Sequence, residues 1–336
     1  MCFHIGLFIT NSMHYPKAKI LFIVSFSFLI LFYSCENSGN QKSGNKQELI
    51  IFHAGSLSVP MHQMADSFMK NNPDIKVLFE SAGSRECARK ITELKKPCDI
   101  MASSDYYVIR DMLIPEFAGW YINFAGNEMC IAYNHQSRLH EKLTTTNWFS
   151  IVMDKTVSFG RSNPDNDPCG YRTLQVFKLS SIYYKNPALA EKLAGKDGRF
   201  IRPKEVDLLA LLESRSLDYI FIYRSVAIQH KLDYLTLPDE INLKNPSFAK
   251  QYAVVQVEIK GKEAGKKTIM KAEPMVYAFT ILKNAPNKDA ALKFADFILS
   301  DKGKSIMEQN GQPSIIFTDS SLYNKIPSSL IKYLRK

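Results

Sequence analysis

Two short segments of the sequence carry the same piece of chemistry. His53-Ala54-Gly55-Ser56 follows the apolar run Leu49-Ile50-Ile51-Phe52, and Ser81-Ala82-Gly83-Ser84 follows Lys76-Val77-Leu78-Phe79. Helix-like sequence comes after each. Where a strand stops at Gly-Ser and turns into a helix, the first helical N–H groups lack intrahelical acceptors and lie beside a hydroxyl that can donate. Such a corner suits an anion. Two of them about 28 residues apart, in successive βα units, can converge at the carboxyl ends of neighbouring parallel strands, where open α/β sheets bind ligands. Ordinary N-capping by Ser56, Ser58 or Ser84 accounts for either corner singly, and less well for the pair.

A third segment, Gly160-Arg161-Ser162-Asn163-Pro164-Asp165-Asn166-Asp167-Pro168-Cys169-Gly170-Tyr171-Arg172, joins a strand to a helix and is dense in turn-forming residues. Asp167 followed by Pro168 makes a good helix start, with Asp167 as the cap. Cys169 invites a nucleophile reading with His230 or His53 as base. A Cys in the first turn of a helix is as easily a small packed residue, and no G-x-S-x-G or Cys/His signature supports hydrolysis. Glu205, ahead of Val206-Asp207-Leu208-Leu209, either faces a ligand or decorates a helix start. Tyr223, at the end of a strand, either donates its hydroxyl into a cleft or packs as an aromatic. Arg85 and Arg172 could add positive charge, though arginines in such places are more often solvated. Lys302-Gly303-Lys304-Ser305 resembles the end of a phosphate loop, but Ile298 stands where its first Gly would have to be, which excludes nucleotide binding.

These residues must be positioned by alternating elements. The pattern predicts strand 48–53, helix about 59–70, strand 76–80, helix about 85–94, a short strand 99–102 and helix about 104–112. A second set follows: strand 156–159, helix about 171–184, helix about 205–213, strand 218–222 and helix about 224–230. Alternation of this kind specifies parallel sheets covered by helices. The β-rich runs Glu128 to Tyr133 and Pro274 to Leu282 bracket the second set. One α/β unit inserted into another gives a two-lobed plan with hinge strands and an interlobe cleft, lobe 1 spanning 48–128 and 275–336 and lobe 2 spanning 129–274.

The amino-terminal end reads as a secretory signal over residues 1–34: Lys17 and Lys19, then the apolar stretch Ile20 to Tyr33. Cys35 directly after small Ser34 resembles a lipobox, which makes Cys35 the lipid-modified first residue and 35–47 a flexible polar tether. An uncleaved membrane anchor is the alternative, and Met13 is a better-looking start than Met1. This places the protein in the cell envelope, held by lipid and facing the periplasm or the outside. The net charge of +10 is spread along the chain, with a cluster at Lys260, Lys262, Lys266, Lys267 and Lys271 that reads as a solvated hairpin loop. No basic stripe interleaved with aromatics speaks for nucleic acid. Of six cysteines, Cys87, Cys98, Cys130 and Cys169 lie in the exported body, where one disulfide is possible but its pairing is not readable; no spacing suits a structural metal.

Taken together, His53 to Ser58, Ala82 to Arg85, Asp99-Ile100-Met101-Ala102-Ser103-Ser104-Asp105-Tyr106, Gly160 to Arg172, Arg202-Pro203-Lys204-Glu205 and Tyr223 to Ala227 resemble the archaeal-type tungstate/molybdate-binding proteins of ABC importers, from about residue 48 to about 320. The resemblance implies a type II periplasmic-binding fold with a tetrahedral oxyanion between the lobes, and two carboxylates, falling on Asp167 and Glu205, that complete an octahedral shell around its metal. The chain departs from the family pattern at Ile222, where many relatives carry Glu, and in a short stretch before Arg202. Gly55, Ser56, Ser84, Tyr223 and the Cys169-Gly170 backbone would serve the oxide oxygens. No catalysis and no cofactor are expected, and the implied partners are a membrane permease with its ATPase. A monomer is expected. The same fold binding sulfate or phosphate is the neighbouring alternative, and an exported thiol hydrolase the distant one.

Overall fold

In the computed structural model, residues 46–334 are described apart from 197 and 264. The expected signal peptide, the lipid site at Cys35 and all but the end of the tether lie outside the described residues. Gln47, the last position of the expected tether, already belongs to the first strand.

Among the described residues thirteen strands run in chain order: β1 Gln47–Ala54, β2 Ile75–Ala82, β3 Ile100–Ser103, β4 Ile122–Gly126, β5 Met129–Tyr133, β6 Phe159–Ser162, β7 Ile201–Arg202, β8 Tyr219–Tyr223, β9 Asp233–Thr236, β10 Gln256–Lys260, β11 Lys267–Lys271, β12 Val276–Ile281 and β13 Ser314–Phe317. They form a six-stranded sheet in the order β13-β4-β12-β3-β1-β2, a five-stranded sheet in the order β7-β6-β8-β5-β9, and the hairpin β10-β11. β1 pairs in parallel with β2 and β3, whereas β12 runs antiparallel to β3 and β4. In the second sheet β6 is parallel to β7 and β8, and β5 antiparallel to β8 and β9. Inner strands such as β3, β8 and β12 are buried along their whole length, which is why they read as unbroken apolar runs rather than as an alternation.

Each sheet has its own hydrophobic core. One draws on residues between Leu49 and Ala125 and between Tyr277 and Leu334, the other on residues between Met129 and Met275. The two lobes are joined where β4 runs through Asn127 and Glu128 into β5, and where β11 runs through Ala272–Met275 into β12. Outside the two cores, Val257, Ile259 and Met270 of the hairpin bury against Tyr171 while Lys260, Lys267 and Lys271 face solvent, as the lysine cluster predicts. No helix among the described residues is long and apolar enough to cross a membrane.

Some boundaries differ from expectation. β6 starts three residues late, because Asp154 Oδ1 accepts from both the amide and the hydroxyl of Thr156 and holds a turn where the strand was expected. The helix expected over 104–112 is one turn, Tyr106–Val108, running into a π turn, Ile109–Leu113. The helix expected over 205–213 opens as a 3₁₀ turn, Glu205–Leu208.

Candidate functional site

The parallel register of β1 with β2 sets Ala54 opposite Ala82, so the two Gly-Ser corners stand side by side at the carboxyl ends of adjacent strands. Ser56 lies in the buried 3₁₀ turn Gly55–Leu57. Its hydroxyl accepts from Tyr277 Oη at 2.9 Å and its carbonyl from Gln312 Nε2 at 3.0 Å. Tyr277 Oη accepts in turn from Asn127 Nδ2 at 2.8 Å. At the second corner, Ser84 Oγ accepts the Ser104 amide at 3.1 Å and lies 3.2 Å from Ser104 Oγ, to which Tyr223 Oη donates at 3.5 Å. Ser56, Ser84, Ser104, Tyr223 and Tyr277 are all buried. They make a wall of neutral hydroxyl donors, two strand-end tyrosines among them with rings 6.0 Å apart.

Facing the first-lobe hydroxyls of this wall are two acidic residues, Asp167 and Glu205, which like Tyr223 belong to the second lobe. Asp167 does cap the helix Pro168–Tyr183, its Oδ1 accepting from the Cys169 amide at 3.3 Å, and its Oδ2 accepts the Glu205 amide at 3.0 Å. One carboxyl thus ties together the starts of two helical segments far apart in sequence. The side chain of Glu205 is fully buried, and neither of its oxygens has a hydrogen-bond partner. A Cβ added at Gly55 would lie 3.0 Å from Glu205 Oε2 and 3.2 Å from Oε1; one added at Gly83 would lie 2.5 Å from the Asn166 carbonyl oxygen and 3.0 Å from Asp167 Cβ. Each Gly-Ser corner is therefore met by one acidic residue at a distance only glycine permits. Burial pushes the Asp167 carboxyl far above the usual carboxylate range and the charge of Glu205 adds to it; burial raises Glu205 as well.

The Cys169 amide is spent on Asp167 Oδ1, and the Gly170 amide on the Asp167 carbonyl at 3.0 Å, so in this structure both serve the turn rather than the cleft. The same holds at the second corner. The amides of Arg85 and Glu86, which an isolated helix start would leave open, both point at the Asn166 carbonyl of the opposite lobe, at 3.1 and 3.2 Å. Cys169 is a packed residue: its thiol is buried, directed at the Phe221 carbonyl 3.8 Å away, and burial with the charges of Asp167 and Glu205 raises its pKa, the reverse of an activated nucleophile. His53 bonds the Ala54 carbonyl and packs on His62 and Phe79, with its pKa lowered to about 4 by burial, and does not serve as a base to Cys169. Cys87, Cys98, Cys130 and Cys169 are all buried and free.

The arginines are not solvated as expected. Arg172 Nη2 donates to Asp105 Oδ2 at 2.8 Å in an ion pair whose side chains are 1% and 2% exposed, and Tyr171 Oη donates to the same oxygen at 2.6 Å. Arg85 donates to the carbonyls of Asp165 and Lys260, and Arg89 Nη1 to Asn166 Oδ1 at 3.0 Å. These bonds span the two lobes and hold them shut. Ser104, Tyr277, Asn127 and Ser162, whose buried hydroxyl has no partner, escape the sequence-based list of candidates. Ser104 and Ser162 stand inside motifs that were recognised. Tyr277 and Asn127 give no local signal beyond a polar group in or beside an apolar strand.

Glu273, in the second connection, accepts from Tyr106 and Tyr107, and its carboxyl is pushed up to about 7, by burial first and then by Asp105, with Arg172 opposing. An acid whose pKa rises on folding holds its proton better in the folded state, so its contribution to stability falls as pH climbs from the ordinary carboxylate range to about 7. Melting curves of the parent and Glu273→Gln are expected to agree most closely in acid, with the variant gaining relative to the parent as pH rises from 4.5 to about 7 and no further gain above that. A difference independent of pH refutes this assignment.

Residues 49–312 match the family model of the bacterial extracellular solute-binding proteins. Among the relatives, an uncharacterized solute-binding protein of Petrotoga mobilis is 46% identical, covering 86% of this chain and 90% of its own. The molybdate/tungstate-binding protein WtpA of Pyrococcus abyssi is 41% identical, covering 92% and 96%, and that of Thermococcus kodakarensis is 41% identical, covering 87% and 89%. The fold matches that of the periplasmic molybdate-binding protein of Azotobacter vinelandii with a TM-score of 0.58 at 16% identity, over 79% of this chain and 98% of the other. Since the matched span takes in both lobes and both acidic residues, the chain belongs to the bacterial extracellular solute-binding protein family, of the two-lobed type II fold, and groups with the molybdate/tungstate-binding WtpA proteins.

Proposed function

We propose that this protein captures tungstate or molybdate outside the cytoplasmic membrane and presents it to an ABC permease and its ATPase. The observation that carries the reading is the buried Glu205 carboxyl with both oxygens unpartnered, beside Asp167 and opposite a wall of hydroxyls. A carboxylate and an oxide dianion repel, and in water-excluded surroundings that repulsion is large. The conflict disappears if Asp167 and Glu205 give oxygen to the hexavalent metal itself, a hard centre that accepts hard donors. Ser56, Ser84, Tyr223 and the neighbouring hydroxyls then donate to the oxides. Sulfate and phosphate cannot expand to six-coordination, so the same carboxylates reject them. The names of the WtpA relatives support the ligand.

Because the site is shared between lobes, the anion stabilises the closed form by mass action, by about 4 kcal/mol when ligand exceeds its dissociation constant a thousandfold. The melting temperature is expected to rise with micromolar tungstate and not with sulfate. No change at millimolar tungstate excludes a cleft site.

The protein acts as a monomer, without a cofactor and without catalysis of its own. Its attachment runs through Cys35, which follows the apolar stretch and precedes a polar tether. Two or more acyl chains give stable anchoring where one is reversible. Cys35→Ser is expected to release the protein or leave it unprocessed; membrane-bound, normally processed Cys35→Ser protein refutes the anchor.

A further inference from the structure

Behind the anion site, on the side of the two interlobe connections, the protein has a groove of about 750 Å³, within the size range of small-molecule sites. Its walls come from both lobes and both connections. Val276, Ile315 and Phe317 supply apolar surface, and Phe317 is 47% exposed.

Two features say what would fill it. First, the groove has acceptors without donors. Asn123 lines it and is 2% exposed, and its Oδ1 has no hydrogen-bond partner; Glu273 also lines it, and while Oε2 accepts from Tyr106 and Tyr107, the buried Oε1 has none. Unmet buried acceptors are costly, and a ligand with N–H groups removes the cost. Second, the lining is short of positive charge. Its cations, Arg110 and Lys244, are engaged by Asp111 and Glu128, which lie outside the lining, whereas Asp239, Glu273 and Asp319 have no ion-pair partner among the described residues.

The groove is wired to the anion site. Asn127, on its wall, donates to Tyr277, which donates to Ser56. The Glu273 carbonyl accepts from Arg172, which pairs with Asp105 across the lobes. Since its walls belong to both lobes and both connections, a change in the angle between the lobes changes the width of the groove.

We propose that this groove is a second ligand site, for a small amphipathic organic ammonium ion whose N–H groups meet Asn123 and Glu273 and whose apolar body lies on Val276, Ile315 and Phe317, and that its occupancy is coupled to lobe closure. Its coupling to tungstate rests on the proposed function; binding of the cation does not.

The test is calorimetry of the purified protein with phenethylammonium and with hydrocinnamate, a carboxylate of similar size, in buffer above pH 7 where Glu273 is ionised. Phenethylammonium is expected to bind one to one and hydrocinnamate not. Glu273→Gln and Phe317→Ser are each expected to weaken the cation about tenfold or more. Phe317→Ser, a surface change, leaves tungstate affinity as it was. No heat with millimolar phenethylammonium, equal binding of hydrocinnamate, or unchanged affinity in both variants overturns the site. Tungstate is expected to shift the affinity for the cation by roughly fivefold or more, and the cation to shift that for tungstate by the same factor. Cation binding that tungstate leaves unmoved, in protein that binds tungstate, overturns the coupling. Failure to bind tungstate at all instead counts against the proposed function and leaves the cation site to stand on the other arms.

Discussion

Glu205→Gln weakens tungstate binding by about tenfold or more, on the order of 1.4 kcal/mol, and raises the melting temperature of the unliganded protein. The two effects have one cause. In the structure the Glu205 carboxyl is fully buried, has no hydrogen-bond partner and lies beside Asp167 and against Gly55. Leaving such a group unmet costs roughly 1–3 kcal/mol, more when it is charged, and the neutral amide relieves part of that cost. On the proposed function the metal of the bound anion relieves it in the parent, so the variant is expected to gain as an empty protein and lose as a receptor. Asp167→Asn weakens tungstate similarly. Asn caps a helix about as well as Asp, so a pure capping role leaves binding unchanged. On the same proposal, neutralising either residue removes the repulsion held to exclude sulfate, and sulfate affinity is expected to appear or increase. Calorimetry with both anions reads opposite shifts; tungstate affinity that survives both substitutions removes metal coordination while leaving the receptor reading in place.

A single methyl group at Gly83 is expected to do more damage than either charge. Its Cβ would stand 2.5 Å from the Asn166 carbonyl oxygen, closer than such atoms approach, and the atom it meets is backbone of the other lobe that cannot swing aside. Gly83 itself has φ −59° and ψ 140°, which alanine adopts without strain, so the substitution leaves the first lobe intact and acts on closure alone. The carbonyl displaced is the one that accepts the Arg85 and Glu86 amides, and its neighbour is Asp167. Tungstate affinity is expected to fall by about a hundredfold or more, on the order of 3 kcal/mol. Solution scattering should show Gly83→Ala remaining open at tungstate concentrations that close the parent. Gly119→Ala is the control, since nothing lies within 4 Å of an added Cβ there. Parent-like affinity in Gly83→Ala contradicts the contact between corner and carboxylate segment that organises the site.

The sequence by itself determined whatever depends on neighbours along the chain. A strand that stops at Gly-Ser before a helix is written within a few residues, so both corners were legible, as was Asp167 as the cap ahead of Pro168. The alternation of apolar and turn-forming segments carried the two-lobed α/β plan for the same reason. Glu205 was legible through its motif, but not its state: that it is buried, unpartnered and pressed on Gly55, some 150 positions earlier, is decided by how the lobes meet. Tyr277 sits in a strand buried on both faces, where apolar periodicity is silent about direction; only the pairing of β12 with β3 and β4 aims its hydroxyl at Ser56. The open amides at the second corner were a sound inference for an isolated helix start and gave way because a carbonyl from the other lobe fills the place. Arg172 and Arg85, solvated by every local rule, are buried because Asp105 and the Asp165 and Lys260 carbonyls receive them. Local propensity sets where a strand ends and a helix begins, since those choices are made by backbone torsions and the nearest hydrogen bonds. Which buried polar group meets which is settled only when two separately folded cores close on each other, because its energy comes from partners that are distant in the chain and adjacent only in space.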